Sequence, residues 1–211
     1  MLEKIIENIF PISCEFCGRI YKKWICPKCY IKIKDEFKFD FIKTKKFTIY
    51  YIGYYEKTIR KLLLKFKFKE SAYLAELFSE IMSKNKEFTQ KIKEYDYIIP
   101  VPMYIKNKKI RGYNQTELLA HQIEKNIKIK YNTEILIKIK ENRRQSELNE
   151  KERKENIKNV YDLQNSIKVK NKKILLLDDI YTTGNTISEC IKVLKKANPK
   201  KIDVLVIAKK I

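Results

Sequence analysis

The run KILLLDDIYTTGNTISE, Lys173 to Glu189, constrains this chain more than any other stretch. Ile174, Leu175, Leu176 and Leu177 are continuously apolar. A strand wet on one face would alternate, so an unbroken run reads as a parallel strand covered on both faces. Asp178 and Asp179 follow, then the polar Thr182-Thr183-Gly184-Asn185-Thr186, then Ile187, Cys190, Ile191 and Leu194 at helical spacing. Strand, acidic pair, glycine loop and helix, in that order, predict an open α/β sheet. The loop then lies outside the carboxyl end of a strand, where such sheets bind ligands.

The loop carries what an anion needs. Gly184 permits a tight turn and close approach of the backbone. Thr182, Thr183 and Thr186 offer hydroxyls, and the helix start adds free N–H groups and the positive end of its dipole. The two carboxylates would repel a phosphate, which assigns them to something beside it: a sugar's hydroxyls or a hydrated Mg²⁺. Phosphate and diol side by side describe a ribose phosphate. The competing readings are an ordinary βαβ unit with a polar loop and a receiver-type acidic pocket; the latter leaves the threonine-glycine loop unexplained. Neither GxxxxGKS/T nor GxGxxG occurs, so nucleoside triphosphate and dinucleotide folds have no motif here.

LLLDDIYTTGNT, Leu175 to Thr186, resembles over its whole length the phosphoribosyl pyrophosphate (PRPP) signature of type I phosphoribosyltransferases. The resemblance implies PRPP with its 5-phosphate on Thr182, Thr183, Gly184, Asn185 and Thr186 and its ribose hydroxyls on Asp178 and Asp179. Those two carboxylates would be the catalytic pair, stabilising positive charge on the ribose ring as Mg²⁺-bound pyrophosphate departs.

With 211 residues the chain has room for one α/β domain and a small appendage. Its net charge of +21 invites a polyanionic partner. Lys, Ile, Asn and Tyr are abundant throughout while Gly totals 4, so part of that charge reads as genome-wide composition. The opening Met1 to Phe10 carries acids and no long apolar core, and no later run reaches transmembrane length. The expectation is a cytoplasmic protein with reduced thiols.

Leu2, Ile5, Ile6 and Ile9 are spaced for a short amphipathic helix. Cys14-x-x-Cys17 and Cys26-x-x-Cys29 follow, close enough to bring four thiolates to one tetrahedral Zn²⁺. All four ligands come from protein, which closes the site and makes such a zinc structural. Disulfides and unligated thiols are the other readings. Around the cysteines Tyr21, Trp24, Tyr30, Phe37, Phe39 and Phe41 are interleaved with lysines. They fit either the core of a small metal module or a surface that stacks single-stranded bases.

Phe47 to Tyr55 reads as a strand, Ile59 to Phe68 as a basic, apolar-striped segment, and Tyr73 to Met82 as a helix with Leu74, Leu77, Phe78 and Ile81 on one face. Lys84 to Lys93 reads as a surface connection. Asp96 to Met103 opens another core strand, which Pro100 and Pro102 force out of the sheet. A basic loop follows with Lys106, Lys108, Lys109 and Arg111, placed where a PRPP enzyme holds pyrophosphate and its metal. Asn114 and Glu117 are spaced to cap a helix carrying Leu118, Leu119 and Ile123. His121, the only histidine, and Cys190 read as structural. Ile202 to Ala208 supplies a further buried strand, which completes a right-handed βαβ unit.

Pro100-Val101-Pro102, the basic loop, then Arg111-Gly112-Tyr113-Asn114-Gln115-x-Glu117-Leu118-Leu119-Ala120 resemble the ComF (ComFC) family of competence proteins. Gln145, Leu148, Arg153, Asn156 and Tyr161 match in spacing, and the double CxxC ahead of the domain is the family's arrangement. Asn142 stands where the family has threonine. Lys138 and Lys140 stand where arginines are expected, and lysine cannot clamp a phosphate bidentately. The family implies that Lys140 and Gln145 belong to a mobile loop over the site. It also implies a role in DNA uptake during natural transformation, with single-stranded DNA, a competence helicase and other uptake proteins as partners. Active transfer of ribose 5-phosphate to an acceptor is the alternative, and a PRPP sensor a third. The expected architecture is a zinc module at 1–46 followed at 47–211 by a phosphoribosyltransferase-like parallel sheet flanked by helices.

Overall fold

The computed structural model describes residues 13–68, 71–141, 152 and 156–211. The helix expected at Leu2 to Ile9 lies outside them, as do Asn142, Gln145, Leu148 and Arg153.

The sheet is assembled on β6 (Lys173–Tyr181). β7 (Lys201–Lys209) and β3 (Tyr97–Pro100) pair with it in parallel on either side. β2 (Thr48–Tyr51) lies parallel beyond β7, and β1 (Asp40–Lys43) closes that edge antiparallel, giving the order β1-β2-β7-β6-β3. Side chains alternate along a strand. Leu175, Leu177, Leu205 and Ile207 therefore enter one core, while Ile174, Leu176, Val204 and Val206 enter the other. All are fully buried, each contributing roughly 1.5–3 kcal/mol. Two-sided burial explains the unbroken apolar run. β6 continues beyond the acidic pair, where the sequence reading ended it, because β7 still offers backbone partners: Asp178 faces Val206 and Tyr181 faces Lys209.

One face is covered by α2 (Lys57–Lys65), α3 (Leu74–Lys84), α4 (Lys86–Ile92) and α6 (Gln115–Ile127). Leu74, Leu77, Phe78 and Ile81 of α3 are buried, as their spacing predicts. The other face is covered by α7 (Asn185–Lys195) and the hairpin of β4 (Leu136–Lys138) and β5 (Tyr161–Leu163). Ile187, Cys190, Ile191 and Leu194 form the buried stripe of α7.

Two segments depart from the sequence reading. Within Lys84 to Lys93, read as a surface connection, α4 forms instead. Asn85 caps it by accepting from Phe88 N–H at 2.9 Å, and Phe88 and Ile92, one turn apart, are buried. Two apolar residues among charges are a faint periodic signal, yet they suffice when a core lies below. The basic stretch read as a loop contains α5 (Ile105–Arg111), stopped by Gly112 at φ 88°.

The cysteine segment docks on the same core. α1 (Pro27–Lys34) buries Ile33, and Phe37 meets Phe78 edge-on with ring centroids 6.0 Å apart. The exposed Glu15–Lys65 pair at 2.6 Å adds little to this. No helix among the described residues is long and apolar enough to cross a membrane.

Phe78 also touches Phe66, at 5.6 Å between centroids. Phe78→Ala should therefore cost about 3–5 kcal/mol, read as a shift of the urea midpoint. A loss below about 1 kcal/mol would mean that this ring does not join the segments.

Candidate functional site

β6 carries Asp178 and Asp179 to the top of the sheet, and the chain turns through Thr182 to Gly184 into α7. Gly184 caps α7 in the left-handed region, φ 73° and ψ 8°, and its carbonyl accepts the N–H of Ser188 at 2.8 Å. The ring of Tyr181 folds back over the turn, so that a Cβ on Gly184 would lie 2.6 Å from Tyr181 Oη. Conformation and space both require glycine here. A cavity of about 260 Å³ opens beside the turn. Asp178, Asp179, Thr182, Thr183, Gly184, Asn185 and Thr186, the whole acidic pair and loop named from sequence, border it together with Lys67.

Asp179 N–H donates to Asp178 Oδ1 at 2.9 Å. Burial, and next the neighbouring Asp179, push the Asp178 carboxyl well above the usual carboxylate range, with Lys67 acting the other way. The strand's alternation turns Asp178 to the face of Leu176 and Asp179 to that of Leu177. Asp178 is felt on its own face: the Tyr161 hydroxyl and Cys190 thiol are pushed up by burial and further by this carboxylate. Burial pushes the Lys138 ammonium down, which nearby Asp178 and Cys190 oppose. A cation or hydroxyl donors brought to the pair would offset the cost of its ionised form.

The basic segment is organised differently. Lys108 pairs with Glu117 at 2.6 Å, Arg111 Nη1 donates to Gln115 Oε1 at 2.6 Å, and Lys106 lies 3.7 Å from Glu141. None of the three borders the loop cavity; Lys108 and Lys138 border a separate one, also about 260 Å³, at the end of β3. Lys140 is exposed and lines neither. The capping arrangement differs from expectation, since Glu117 turns to Lys108 and Asn114 caps α6 alone, accepting from Thr116 N–H at 3.3 Å. Asn114 Nδ2 and Thr116 Oγ1 also donate to Val101 O, at 3.1 and 2.8 Å, tying α6 to the proline turn after β3.

Sequence reasoning missed Lys67 and Tyr181. Tyr181 sits inside the motif that was read, and its bulk beside a glycine was the available signal. Lys67 lies in KFKFK after α2, and nothing local distinguishes it from the other lysines.

The four cysteine sulfurs lie within 4.8 Å of one another. Metal–sulfur bonds of about 2.3 Å put tetrahedral ligands roughly 3.8 Å apart, and Cys17 and Cys26 already approach to 3.8 Å. The cluster could therefore hold a metal ion such as zinc. Gly18 makes the knuckle turn at φ 69°, donating to Cys14 O at 2.8 Å. Burial raises the Cys14 thiol, but N–H groups led by Cys26, 3.4 Å from its sulfur, outweigh that and bring it down to about 6. Burial and the neighbouring sulfurs push Cys29 up to about 12. Four adjacent thiols resist ionising together, and a bound cation would remove that resistance.

The interleaved aromatics divide. Phe37 is core and Phe39 packs on Phe88, whereas Trp24 stays 43 % exposed and stacks on Tyr73 at 5.4 Å. Trp24, Tyr73 and Tyr30 border a groove of about 410 Å³ with Lys22, Lys23 and Lys84, and with Glu76 and Glu80. His121 is exposed, edge-on to Tyr131.

Comparison with known proteins bears on this arrangement. Residues 116–211 match the phosphoribosyl transferase domain family. Competence protein F of Haemophilus influenzae is 31 % identical over 160 residues, covering 72 % of this chain and 69 % of that protein. DNA utilization protein YhgH of Escherichia coli is 28 % identical over 109 residues, 52 % of this chain and 47 % of its own length. Among solved structures, the glutamine PRPP amidotransferase of B. subtilis aligns with 68 % of this chain and 30 % of its own, at 13 % identity and a TM-score of 0.45.

Gly184→Ala should cost about 1–2 kcal/mol from the left-handed backbone alone, and more if Tyr181 cannot leave. Chemical denaturation measures it; an unchanged midpoint would show that the turn relaxes freely.

Proposed function

The chain belongs to the competence protein F (ComF) family, and on that premise we propose that it binds PRPP at the Asp178–Thr186 loop and handles single-stranded DNA in the cytoplasm during DNA uptake. The observation that carries the first half is the shared border of one cavity by an acidic strand end and a threonine-glycine helix start. The loop amides and hydroxyls are suited to the 5-phosphate. Asp178 and Asp179 are suited to the ribose hydroxyls, which supply donors to carboxylates that otherwise repel one another. Mg²⁺, when bound with PRPP, would neutralise its pyrophosphate. Lys106, Lys108, Arg111, Lys140 and Gln145 are proposed as the groups that meet the pyrophosphate.

The second half draws on the relatives' names, competence and DNA utilization, and on charge. At +21 the chain favours polyanions regardless of sequence. The exposed Trp24 ring, with Lys22 and Lys23 beside it, has the makings of a stacking platform for unpaired bases. A competence helicase and other uptake proteins are the partners this role requires. Transfer of ribose 5-phosphate to an acceptor is the second reading, favoured by the carboxylates bordering the same cavity as the loop. The cysteine cluster is assigned a structural zinc.

Calorimetric titration with PRPP and Mg²⁺, repeated with a single-stranded oligonucleotide present, tests the reading. Saturable binding is expected, and any change of affinity with DNA measures a reciprocal coupling. The double variant Asp178→Asn, Asp179→Asn should weaken PRPP at least about tenfold while leaving the melting temperature unchanged or higher, because the carboxylate repulsion is gone. Unchanged affinity would sink the site assignment. Metal analysis should find about one zinc per chain, and a strong chelator should remove it and expose Trp24 further by fluorescence; protein purified without metal would end that assignment.

A further inference from the structure

Among the described residues bordering the loop cavity, Lys67 is the only cation. Lys67 lies in the turn that follows α2, which ends at Lys65. Phe66 is buried against Phe78 and Tyr113, and Phe68 N–H closes a turn onto Lys65 O at 2.8 Å. The two carbonyls flanking Lys67 converge on one group. Tyr113 Oη lies 2.8 Å from Phe66 O and also contacts Phe68 O, sharing its proton between them. Tyr113 is itself 8 % exposed and immediately precedes Asn114, the cap of α6. The start of α6 thus grips two turns at once: that of Lys67 through Tyr113, and that of Val101 through Asn114 and Thr116.

We propose that Lys67 is a ligand-binding residue that holds a phosphate group of PRPP, and that Tyr113 is the positioning residue that presents it. The inference rests on the PRPP reading above. A highly charged anion entering a cavity floored by two carboxylates meets repulsion there, which loop hydroxyls and amides offset only where the 5-phosphate sits. A cation bordering the same cavity offsets it for a phosphate lying beside the acidic pair, and Lys67 borders it. Lysine suffices for this as a point charge that follows the ligand on a flexible stem. The cost is that the stem must be held near the site, and two backbone carbonyls gripped by a buried hydroxyl hold it.

Titration calorimetry with Mg²⁺–PRPP on the unsubstituted protein and on Lys67→Met, Lys67→Arg, Tyr113→Phe and the Lys67→Met/Tyr113→Phe pair decides it, with thermal melts of each. Lys67→Met should weaken PRPP about tenfold or more, as for loss of a charge-assisted bond. Lys67→Arg should stay within about threefold of the parent. Tyr113→Phe should weaken binding about three- to tenfold alone and not at all in the Lys67→Met background, while lowering the melting temperature equally in both. That non-additivity is what a merely structural tyrosine would not produce, so additive losses overturn the positioning role. Ribose 5-phosphate and inorganic pyrophosphate, titrated separately, report which phosphate feels Lys67→Met. Parental affinity in Lys67→Met overturns the lysine assignment and leaves the PRPP reading standing. No binding by the unsubstituted protein overturns both.

Discussion

Two-sided burial of β6 is the constraint on which the rest depends. A central parallel strand has no wet face, so the residues from Ile174 to Leu177 are apolar. The first polar residues appear where β3 has ended and β6 continues against β7 alone. Asp178 and Asp179 are therefore fixed at the rim by the same requirement that fills the core. α7 must then start close by, because its stripe of Ile187, Cys190, Ile191 and Leu194 covers one face of that strand. Helix N-terminus and acidic pair become neighbours through packing, before any ligand is considered.

This coupling of core to rim is why the loop half of the site was legible in sequence. Strand, pair, loop and helix are contiguous, so order along the chain reads directly as order in space. The other half is assembled by tertiary contact. Lys67 reaches the cavity from a turn that Tyr113 holds from far along the chain, and the chain's many lysines give no local mark to this one. The cations of α5 show the converse. Their clustering at Lys106, Lys108 and Arg111 is conspicuous, yet each finds a partner nearby, and the helix that carries them lies at the end of β3. Charge density in a sequence states how many cations are available, not which of them borders the loop cavity. α4 was missed for a related reason, since Phe88 and Ile92 acquire their meaning only from the core beneath.

The Arg-Gly-Tyr-Asn-Gln segment gains a physical account on these contacts. Gly112 ends α5 in a conformation that favours glycine, Tyr113 anchors the turn after α2, Asn114 both caps α6 and holds Val101, and Gln115 receives Arg111. Four neighbouring residues thus brace two turns that approach the carboxyl edge of the sheet. A segment dense in family signature is, in this chain, bound to backbone rather than open to solvent: Tyr113, Asn114 and Gln115 are all buried.

The connection between α2 and α3 links the two ends of the proposed function. Lys67 faces the loop cavity at its start, and Tyr73, immediately before α3, stacks on the exposed Trp24 of the cysteine segment. Both flanking helices are pinned in one core through Phe66 and Phe78, and Phe37 ties the cysteine segment to that core. Close-packed interiors have low compressibility and transmit strain. On the proposed reading, a base stacked on Trp24 and a phosphate held by Lys67 would act on neighbouring parts of the chain. If each ligand favours a different placement of that connection, the two must oppose each other by equal free energies; if the same placement, they must assist each other equally.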